Sequence, residues 1–239
     1  MSQQIKNKFG FTLIELMLAM SFVSVLLIAV AMTVIQISNI YNKGLLLKGA
    51  NQSGIAIVSE LKRSISSSPQ FDVDPGTTKI YVQRDWGGRL CTGQYSYIWN
   101  YGAAITSDNN PTPTKGLSDN RNIYISPNAE IRFVKIYDPA LAYCTPTNNV
   151  YPNISTDAIE LLNASQYDLA IQKFSISSSA FDSKTGQRLY NIEFFIGTNN
   201  QKALNNSTSC KAPNETGSDP SYCSVVQFNI TARAGNLVE

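Results

Sequence analysis

The chain begins with a short polar stretch, and a long apolar stretch comes after it. Residues 1–10 are polar and contain Lys6 and Lys8, whereas residues 11–35 contain Glu15 as their one formally charged side chain. A helix of about 20 apolar residues is long enough to cross the hydrocarbon core of a bilayer. The pattern therefore predicts a membrane-spanning helix, and the basic residues before it favour a cytoplasmic amino terminus.

Beyond the apolar stretch, apolar residues recur every three or four positions, as in a helix with one buried face. The recurring positions are Leu47, Ala50, Gly54, Ile57 or Val58, Leu61 and Ile65. Three serines followed by Pro69 then predict the end of the helix. We therefore expect one long helix over residues 11–68, with the membrane segment at 11–35 and an amphipathic segment at 36–68.

After Pro69 the pattern changes to short runs rich in β-branched and aromatic residues, with turn-forming residues between them. The runs that predict strands are residues 79–83, 95–101, 122–126, 131–137, 167–177, 188–196 and 224–233. Residues 182–186 predict a hairpin turn, and residues 158–164 predict a short helix. Residues 69–239 therefore predict a β-rich globular head with an antiparallel sheet, and the whole chain an α+β fold.

The charge and the residue types narrow the class of protein. The 19 basic and 17 acidic residues give a formal net charge of +2, which does not indicate a dedicated nucleic-acid binder. The sequence has no histidine and no phosphate-binding glycine motif, so it does not predict an enzyme. No cofactor is expected. Asp72, Asp74 and residues 107–110 place oxygen ligands in turn-forming sequence, which leaves calcium as a weaker alternative to ordinary turns.

Four scattered cysteines lie downstream of the apolar segment: Cys91, Cys144, Cys210 and Cys223. None forms a C-x-x-C pair, so a zinc site is not expected. An even number of cysteines after an export-type segment predicts disulfides in an oxidising compartment. Three connectivities are possible, and closeness in sequence favours Cys210 with Cys223, which leaves Cys91 with Cys144.

Glu15 distinguishes between the possible interpretations of the apolar segment. A carboxylate in an apolar span is costly unless it is paired or neutralised, although at the membrane interface it can reach back to the headgroups. A secretory signal peptide cut after Ala31 is one alternative, because residues 29–31 have the small-x-small pattern of a cleavage site. A simple membrane anchor is another alternative. Neither interpretation gives Glu15 a role.

The run KFGFTLIEL, from Lys8 to Leu16, resembles the processing motif of type IV pilins, type II secretion pseudopilins and competence pseudopilins. The resemblance implies that prepilin peptidase cuts between Gly10 and Phe11 and methylates the new amino terminus of Phe11. Residues 1–10 are then a leader peptide. Glu15 falls on the fifth position of the mature chain, where the family has its glutamate. The physical role implied is pairing with the ammonium of a neighbouring subunit, which sets axial register in the filament.

The same resemblance implies the rest of the architecture and the partners. The amphipathic half of the helix packs on the β-sheet of the head, and other pilin subunits surround the apolar half in a filament. Before assembly the protein is held in a bacterial inner membrane with its head outside the cytoplasm, in contact with the assembly machinery. After assembly it lies in a surface pilus or a periplasmic pseudopilus.

Two further likenesses favour a minor subunit. Many major pilins have a proline where this chain has Met32, and the final run VVQFNITARAG resembles the end of PilW-like minor pilins. The segment between Cys210 and Cys223 is similar to the disulfide-bounded loop of many pilins. We therefore expect a minor pilin or pseudopilin with a role in pilus assembly, adhesion, motility or DNA uptake. The alternatives are a type II secretion pseudopilin and a secreted binding domain cut after Ala31.

A ligand site on the head is a weaker hypothesis. Trp86 lies among several aromatic residues, and Arg84 and Arg89 flank it. Aromatic rings and guanidinium groups can stack on bases or sugars, which would suit DNA or a host surface. The competing interpretation is that these rings pack into the core of the sheet.

Overall fold

The structure is a computed structural model, and it describes residues 12–73, 80–84, 87–105, 132–144, 158–162, 168–179 and 181–235. The chain divides into two compact units, which join between Asn42 and Lys43. One long helix is followed by antiparallel sheets. This confirms the α+β class. The strand predicted at residues 122–126 lies outside the described residues.

Helix α1 runs from Leu13 to Ser66, a length of 54 residues. At 1.5 Å per residue this is roughly 80 Å. The serine-rich end was predicted correctly, because the Ser68 backbone N–H and hydroxyl both donate to the carbonyl oxygen of Ile65 before Pro69 stops the helix. Helical geometry continues without a break through the three glycines at positions 44, 49 and 54.

In the described part of the second unit there are ten strands and a short helix, α2, at Gly102–Ile105. The strands are β1 Tyr81–Arg84, β2 Gly87–Thr92, β3 Tyr95–Asn100, β4 Phe133–Tyr137, β5 Ile159–Glu160, β6 Leu169–Ser178, β7 Arg188–Thr198, β8 Leu204–Asn205, β9 Ser209–Cys210 and β10 Val225–Ala234. They form a first sheet in the order β1-β2-β3-β4-β5, a second sheet in the order β10-β7-β6 and a small β8-β9 hairpin. All pairings in these sheets are antiparallel. The single sheet expected from the sequence is thus divided.

The carboxyl-terminal half of α1 packs against both sheets. Its buried residues are Gly49, Ala50, Gly54, Ile57, Leu61, Ser64 and Ile65. The apolar stripe read from the sequence is confirmed except at Leu47, which is exposed. On one flank of the helix Ser64 hydrogen-bonds Thr92 of β2 at 2.5 Å, and on its central face Gly54 meets the Phe228 ring of β10.

The contact between Gly54 and Phe228 predicts opposite effects for two similar substitutions. A Cβ atom at Gly54 would overlap the Phe228 ring, whereas a Cβ atom at Gly44 meets nothing within 4 Å. We expect Gly54→Ala to lower the free energy of unfolding by about 1–3 kcal/mol through overpacking. Gly44→Ala should raise it by up to about 1 kcal/mol through helix propensity. Urea denaturation followed by circular dichroism measures both.

The rescue experiment uses the double variant Gly54→Ala/Phe228→Leu. The smaller side chain leaves room for the added methyl group. The double variant should therefore lose less free energy of unfolding than the two single variants lose when their effects are added. Equal destabilisation at Gly44 and Gly54 would show that ring overlap is not the cause.

An aromatic core joins the two sheets. Trp99 of β3 is fully buried, and its ring centroid lies 4.2 Å from that of Phe174 in β6 and 5.8 Å from that of Phe133 in β4. Phe174 in turn packs against Phe194 of β7, at 6.1 Å between centroids. The Phe194 ring stacks on Phe228 at 5.1 Å. The chain of rings therefore runs from the first sheet across the second one to α1.

Two disulfides hold loops to this core. Cys91 of β2 is bonded to Cys144, and Cys210 of β9 to Cys223, with Cα atoms 6.5 Å and 5.8 Å apart respectively. This is the pairing that closeness in sequence favoured. The buried Asp138 carboxylate shapes the turn before Cys144 by accepting hydrogen bonds from the backbone N–H groups of Ala142 and Tyr143.

The short helix predicted at residues 158–164 is wrong where the structure describes it. Residues Ile159–Glu160 form β5, which pairs with β4. The Glu160 carboxylate accepts hydrogen bonds from the backbone N–H groups of Arg132, Phe133 and Leu162. The bonds from Arg132 and Phe133 are tertiary contacts that hold an extended backbone, and they override the local helix propensity of the segment.

Candidate functional site

The start of α1 is held by Thr12 and Glu15. The Thr12 backbone N–H and hydroxyl both donate to Glu15 Oε2, at 2.9 Å and 2.8 Å, and the Glu15 N–H donates to Thr12 Oγ1 at 3.3 Å. This reciprocal arrangement is a capping box, in which a threonine and a glutamate three residues later satisfy each other's backbone donors. The Thr-x-x-Glu spacing is visible in the sequence, and it is the local signal that marks this helix start.

The capping box uses one oxygen of the Glu15 carboxylate. Among the described residues, Glu15 Oε1 accepts no hydrogen bond, and Glu15 forms no ion pair. The carboxylate is therefore fixed at the amino-terminal end of α1 with one oxygen facing outward. Gly10 and Phe11, where cleavage and methylation are predicted, lie outside the described residues.

The helical part of the first unit exposes apolar side chains all round. Large apolar residues from Leu13 to Tyr41 are between 49% and 76% exposed. In the described part of the chain, α1 is the one helix long and apolar enough to cross a membrane, with a mean hydropathy of 2.6 in its most apolar window. A continuous apolar surface of this size is typical of a helix that contacts lipid or other protein.

Hydroxyl groups in this apolar segment are satisfied within the helix. Ser21, Ser24 and Thr33 donate to the carbonyl oxygens four residues earlier, at 2.8–2.9 Å. Such bonds remove the need for water or an external partner. Glu15 is the one charged side chain of this segment.

An ion pair connects the amphipathic part of α1 with the first sheet. Lys135 Nζ lies 2.5 Å from Glu60 Oε1 and 3.7 Å from the centroid of the Tyr95 ring, and the Tyr97 hydroxyl donates to Glu60 at 3.2 Å. Burial would raise the pKa of Glu60, but the hydrogen bond and charge of Lys135, with Arg63 and Tyr97, outweigh it and hold the pKa below its ordinary value. Sequence patterning did not identify this pair, because its members are 75 residues apart.

Of the three residues considered for ligand binding on the head, Arg89 is the one whose side chain the structure describes. Arg89 is only 3% exposed, and its guanidinium Nη1 donates to the carbonyl oxygen of Tyr143 at 2.7 Å. Trp99 and Tyr97 are fully buried. Arg84 ends β1, and Trp86 lies outside the described residues. The described rings of this region thus lie in the core, as do Tyr97, Trp99 and Tyr101, or pack against it, as does Tyr95.

The oxygen ligands considered for calcium are only partly described. Asp72 lies 3.5 Å from Arg188, whereas Asp74 and residues 107–110 lie outside the described residues. In the parts of the chain that the structure describes, no group of three or more aspartate, glutamate, cysteine or histidine side chains is arranged to hold a metal ion.

Comparison with protein-family models, with characterised proteins and with solved structures found no match to this chain. The features of the chain that bear on its function therefore come from its own residues. These are the run from Lys8 to Leu16, which resembles a processing motif, and Glu15 in its capping box. The third is helix α1, whose first half is apolar all round and whose second half packs on the head.

Proposed function

We propose that the chain is a minor pilin or pseudopilin of a type IV filament, assembled through its amino-terminal helix. Prepilin peptidase would cut between Gly10 and Phe11 and methylate Phe11. The observation that carries this proposal is the run KFGFTLIEL at the start of a 54-residue helix whose first half is apolar on every side. The function is structural, and its partners are other subunits and the assembly machinery.

The position of Glu15 supports assembly over simple anchoring. An anchor gains nothing from a carboxylate at the edge of its apolar span, and the cost in lipid is several kcal/mol if the carboxylate stays charged away from the interface. In a bundle of such helices, the ammonium of a neighbouring Phe11 can approach the outward Oε1 of Glu15. Since an unpaired buried charge is costly, this pairing favours one axial register over the others.

The length of the apolar segment suits both the membrane-bound form and the filament form that we propose. Residues 13–35 form about 34 Å of helix at 1.5 Å per residue, which spans a hydrocarbon core of about 30 Å. The same surface can later be covered by other helices. The disulfides Cys91–Cys144 and Cys210–Cys223 support a head outside the cytoplasm.

The mass of the filament-associated protein tests the proposal. Filaments sheared from cells should contain this chain without residues 1–10, with one added methyl group on Phe11 and with four hydrogens fewer because of two disulfides. Intact-mass spectrometry after gentle denaturation measures all three changes together. A tryptic map then assigns the methyl group to the new amino terminus.

A processing variant is the matched control. Gly10→Val puts a branched side chain beside the cleaved bond, so this variant should remain full length, stay in the membrane and be missing from sheared filaments. Full-length wild-type protein in filaments would overturn the proposal. An amino terminus at Met32 would instead establish the secreted domain cut after Ala31.

A further inference from the structure

Thr198 and Ser224 lie directly opposite each other at the end of the pairing between β7 and β10. The Thr198 N–H donates to the carbonyl oxygen of Ser224 at 3.0 Å, which continues by one residue the pairing of Gly197 with Val225. Antiparallel residues paired by such a hydrogen bond have Cα atoms about 5.5 Å apart. Their side chains lie on the same face of the sheet. The hydroxyl groups of Thr198 and Ser224 are therefore neighbours.

Both side chains lie on the face of the sheet that packs into the core of the head. Successive side chains of a strand point to opposite faces, so Thr198 and Ser224 share a face with Ile196 and Val226, which pair two residues away. Ile196 is fully buried, and Val226 packs against the same core. Thr198 and Ser224 are themselves only 5% and 3% exposed. Their hydroxyl groups are thus shielded from bulk water.

The two hydroxyl groups have no hydrogen-bond partner. In the described part of the chain, neither Thr198 Oγ1 nor Ser224 Oγ forms a hydrogen bond, to the other or to any third group. The nearby Gln172 amide is used elsewhere, because its Nε2 donates to the carbonyl oxygen of Thr198 at 2.8 Å and its Oε1 accepts from Gln201 at 3.1 Å. A buried hydroxyl without a partner is unfavourable and uncommon in native proteins. Two of them on opposed residues indicate a polar ligand between them.

We propose that this place is a binding site for one buried water molecule, which bridges Thr198 Oγ1 and Ser224 Oγ. A water about 2.8 Å from each oxygen spans a gap of up to about 5.6 Å. This suits two side chains whose Cα atoms are about 5.5 Å apart. Water and a hydroxyl can each donate and accept, so both hydroxyl groups obtain a partner. The inference goes beyond filament assembly and holds whatever the head does.

Water suits this site better than a metal ion does. The two hydroxyl oxygens are neutral, and buried waters commonly have about two to four polar partners. Calcium needs about six to eight oxygen ligands, with carboxylates among them. The carboxylate of Asp168, near the same end of the sheet, is instead paired with Arg132 at 2.8 Å. Asn199 Oδ1 is a third buried oxygen without a partner, but Asn199 lies beyond the end of β7, so the strand alternation does not place it at this site.

The water would join the two strands where the chain enters β10. Ser224 directly follows Cys223, which is 1% exposed and bonded to Cys210. The disulfide holds the loop before β10, and the water bridge would hold the first turn of backbone after it to the end of β7. The site therefore links the disulfide-bonded loop to the second sheet.

Thermal unfolding of the full-length chain in detergent micelles, followed by circular dichroism, tests the proposal. Thr198→Val and Ser224→Ala each remove one hydroxyl group and leave the rest of the side chain almost unchanged. With a bridging water, each substitution removes one partner of the water and leaves the other hydroxyl poorly satisfied. The Tm of the head should therefore fall by about 2–4 °C in each single variant. The double variant removes both polar groups, so its Tm should fall by less than the two single shifts added together.

Thr231→Val is the matched control. Thr231 lies on the opposite face of β10, is exposed, and donates to Asn191 Oδ1 at 3.0 Å. Bulk water can replace that bond, so the Tm should change by less than about 2 °C. A high-resolution crystal structure of the full-length chain provides the direct measurement. It should show one water within hydrogen-bond distance of both Thr198 Oγ1 and Ser224 Oγ, and no water there in Thr198→Val.

Three results would overturn the proposal. A higher Tm in either single variant would show that its hydroxyl group had no partner to lose. A crystal structure in which Thr198 Oγ1 and Ser224 Oγ bond directly, with no water between them, would replace the bridge by a side-chain hydrogen bond. The third is a wild-type Tm that differs between sodium and potassium chloride at equal ionic strength, with no such difference in Thr198→Val. This would identify a cation as the ligand.

Discussion

Replacing Glu15 with alanine is expected to leave the protein in the membrane and to reduce its incorporation into filaments by about tenfold or more. The substitution removes the one charge of the apolar segment, so membrane insertion should be unchanged or improved. It also leaves the ammonium of a neighbouring Phe11 without its partner in the filament core. The measurement compares the variant in the membrane fraction and in sheared filaments by quantitative immunoblotting, with complemented deletion cells as the reference.

The capping box makes a sharper variant available. Glutamine can replace glutamate in a capping box, so Glu15→Gln keeps the bonds to Thr12 and removes only the charge. Thr12→Val does the reverse, since it loses the hydroxyl and keeps the carboxylate. If charge pairing sets the register, Glu15→Gln should fail to incorporate and Thr12→Val should incorporate. Normal incorporation of Glu15→Gln would restrict the role of Glu15 to starting the helix.

The sequence predicted the long helix well, because its signals are local and repeated. The helix was expected over residues 11–68 and is described from Leu13 to Ser66. The end at Pro69 and the hairpin turn at residues 182–186 follow from residues with strong backbone preferences. In the turn, Asp182 accepts a hydrogen bond from the Lys184 N–H at 2.9 Å, and Gly186 has a φ of +68°.

The head was harder to predict, because its pairing depends on distant residues. Strand β2 begins with Gly87 and Gly88, which resemble a turn in sequence and so gave no strand prediction. In the fold, a Cβ atom at Gly88 would lie 2.5 Å from the Trp99 ring. Glycine is therefore required by a residue of the next strand and not by a turn. The division into two sheets has the same origin, since no local pattern shows which strands pair.

The start of α1 and its packing on the head differ in the same way, because one depends on local residues and the other on distant ones. The bonds between Thr12 and Glu15 span three residues, and their spacing is a known helix-start signature. The edge of β10 and the flank of α1, in contrast, lie about 170 residues apart in the chain. They meet where Phe228 packs on Gly54, a contact that no short-range pattern could show.

The second large effect is expected at Trp99, the residue through which the first sheet packs on the second. Trp99→Ala should lower the free energy of unfolding of the head by about 3–5 kcal/mol, because it leaves a cavity between the rings of Phe133 and Phe174. Folded domains are stable by only about 5–15 kcal/mol. The variant should therefore unfold at a much lower urea concentration, and it should accumulate less in cells.

Two controls separate this cavity from a general effect of losing an aromatic ring. Trp99→Phe keeps a ring between the sheets, so it should lower the free energy of unfolding by less than half as much as Trp99→Ala. Phe181 is 44% exposed, so Phe181→Ala should lower the free energy of unfolding by less than about 1 kcal/mol. Circular dichroism is the appropriate measurement, because Trp99 is one of only two tryptophans and its loss would change the fluorescence signal. A small decrease in the free energy of unfolding of Trp99→Ala would mean that the packing of both sheets on α1 holds them together, and that the chain of rings contributes little.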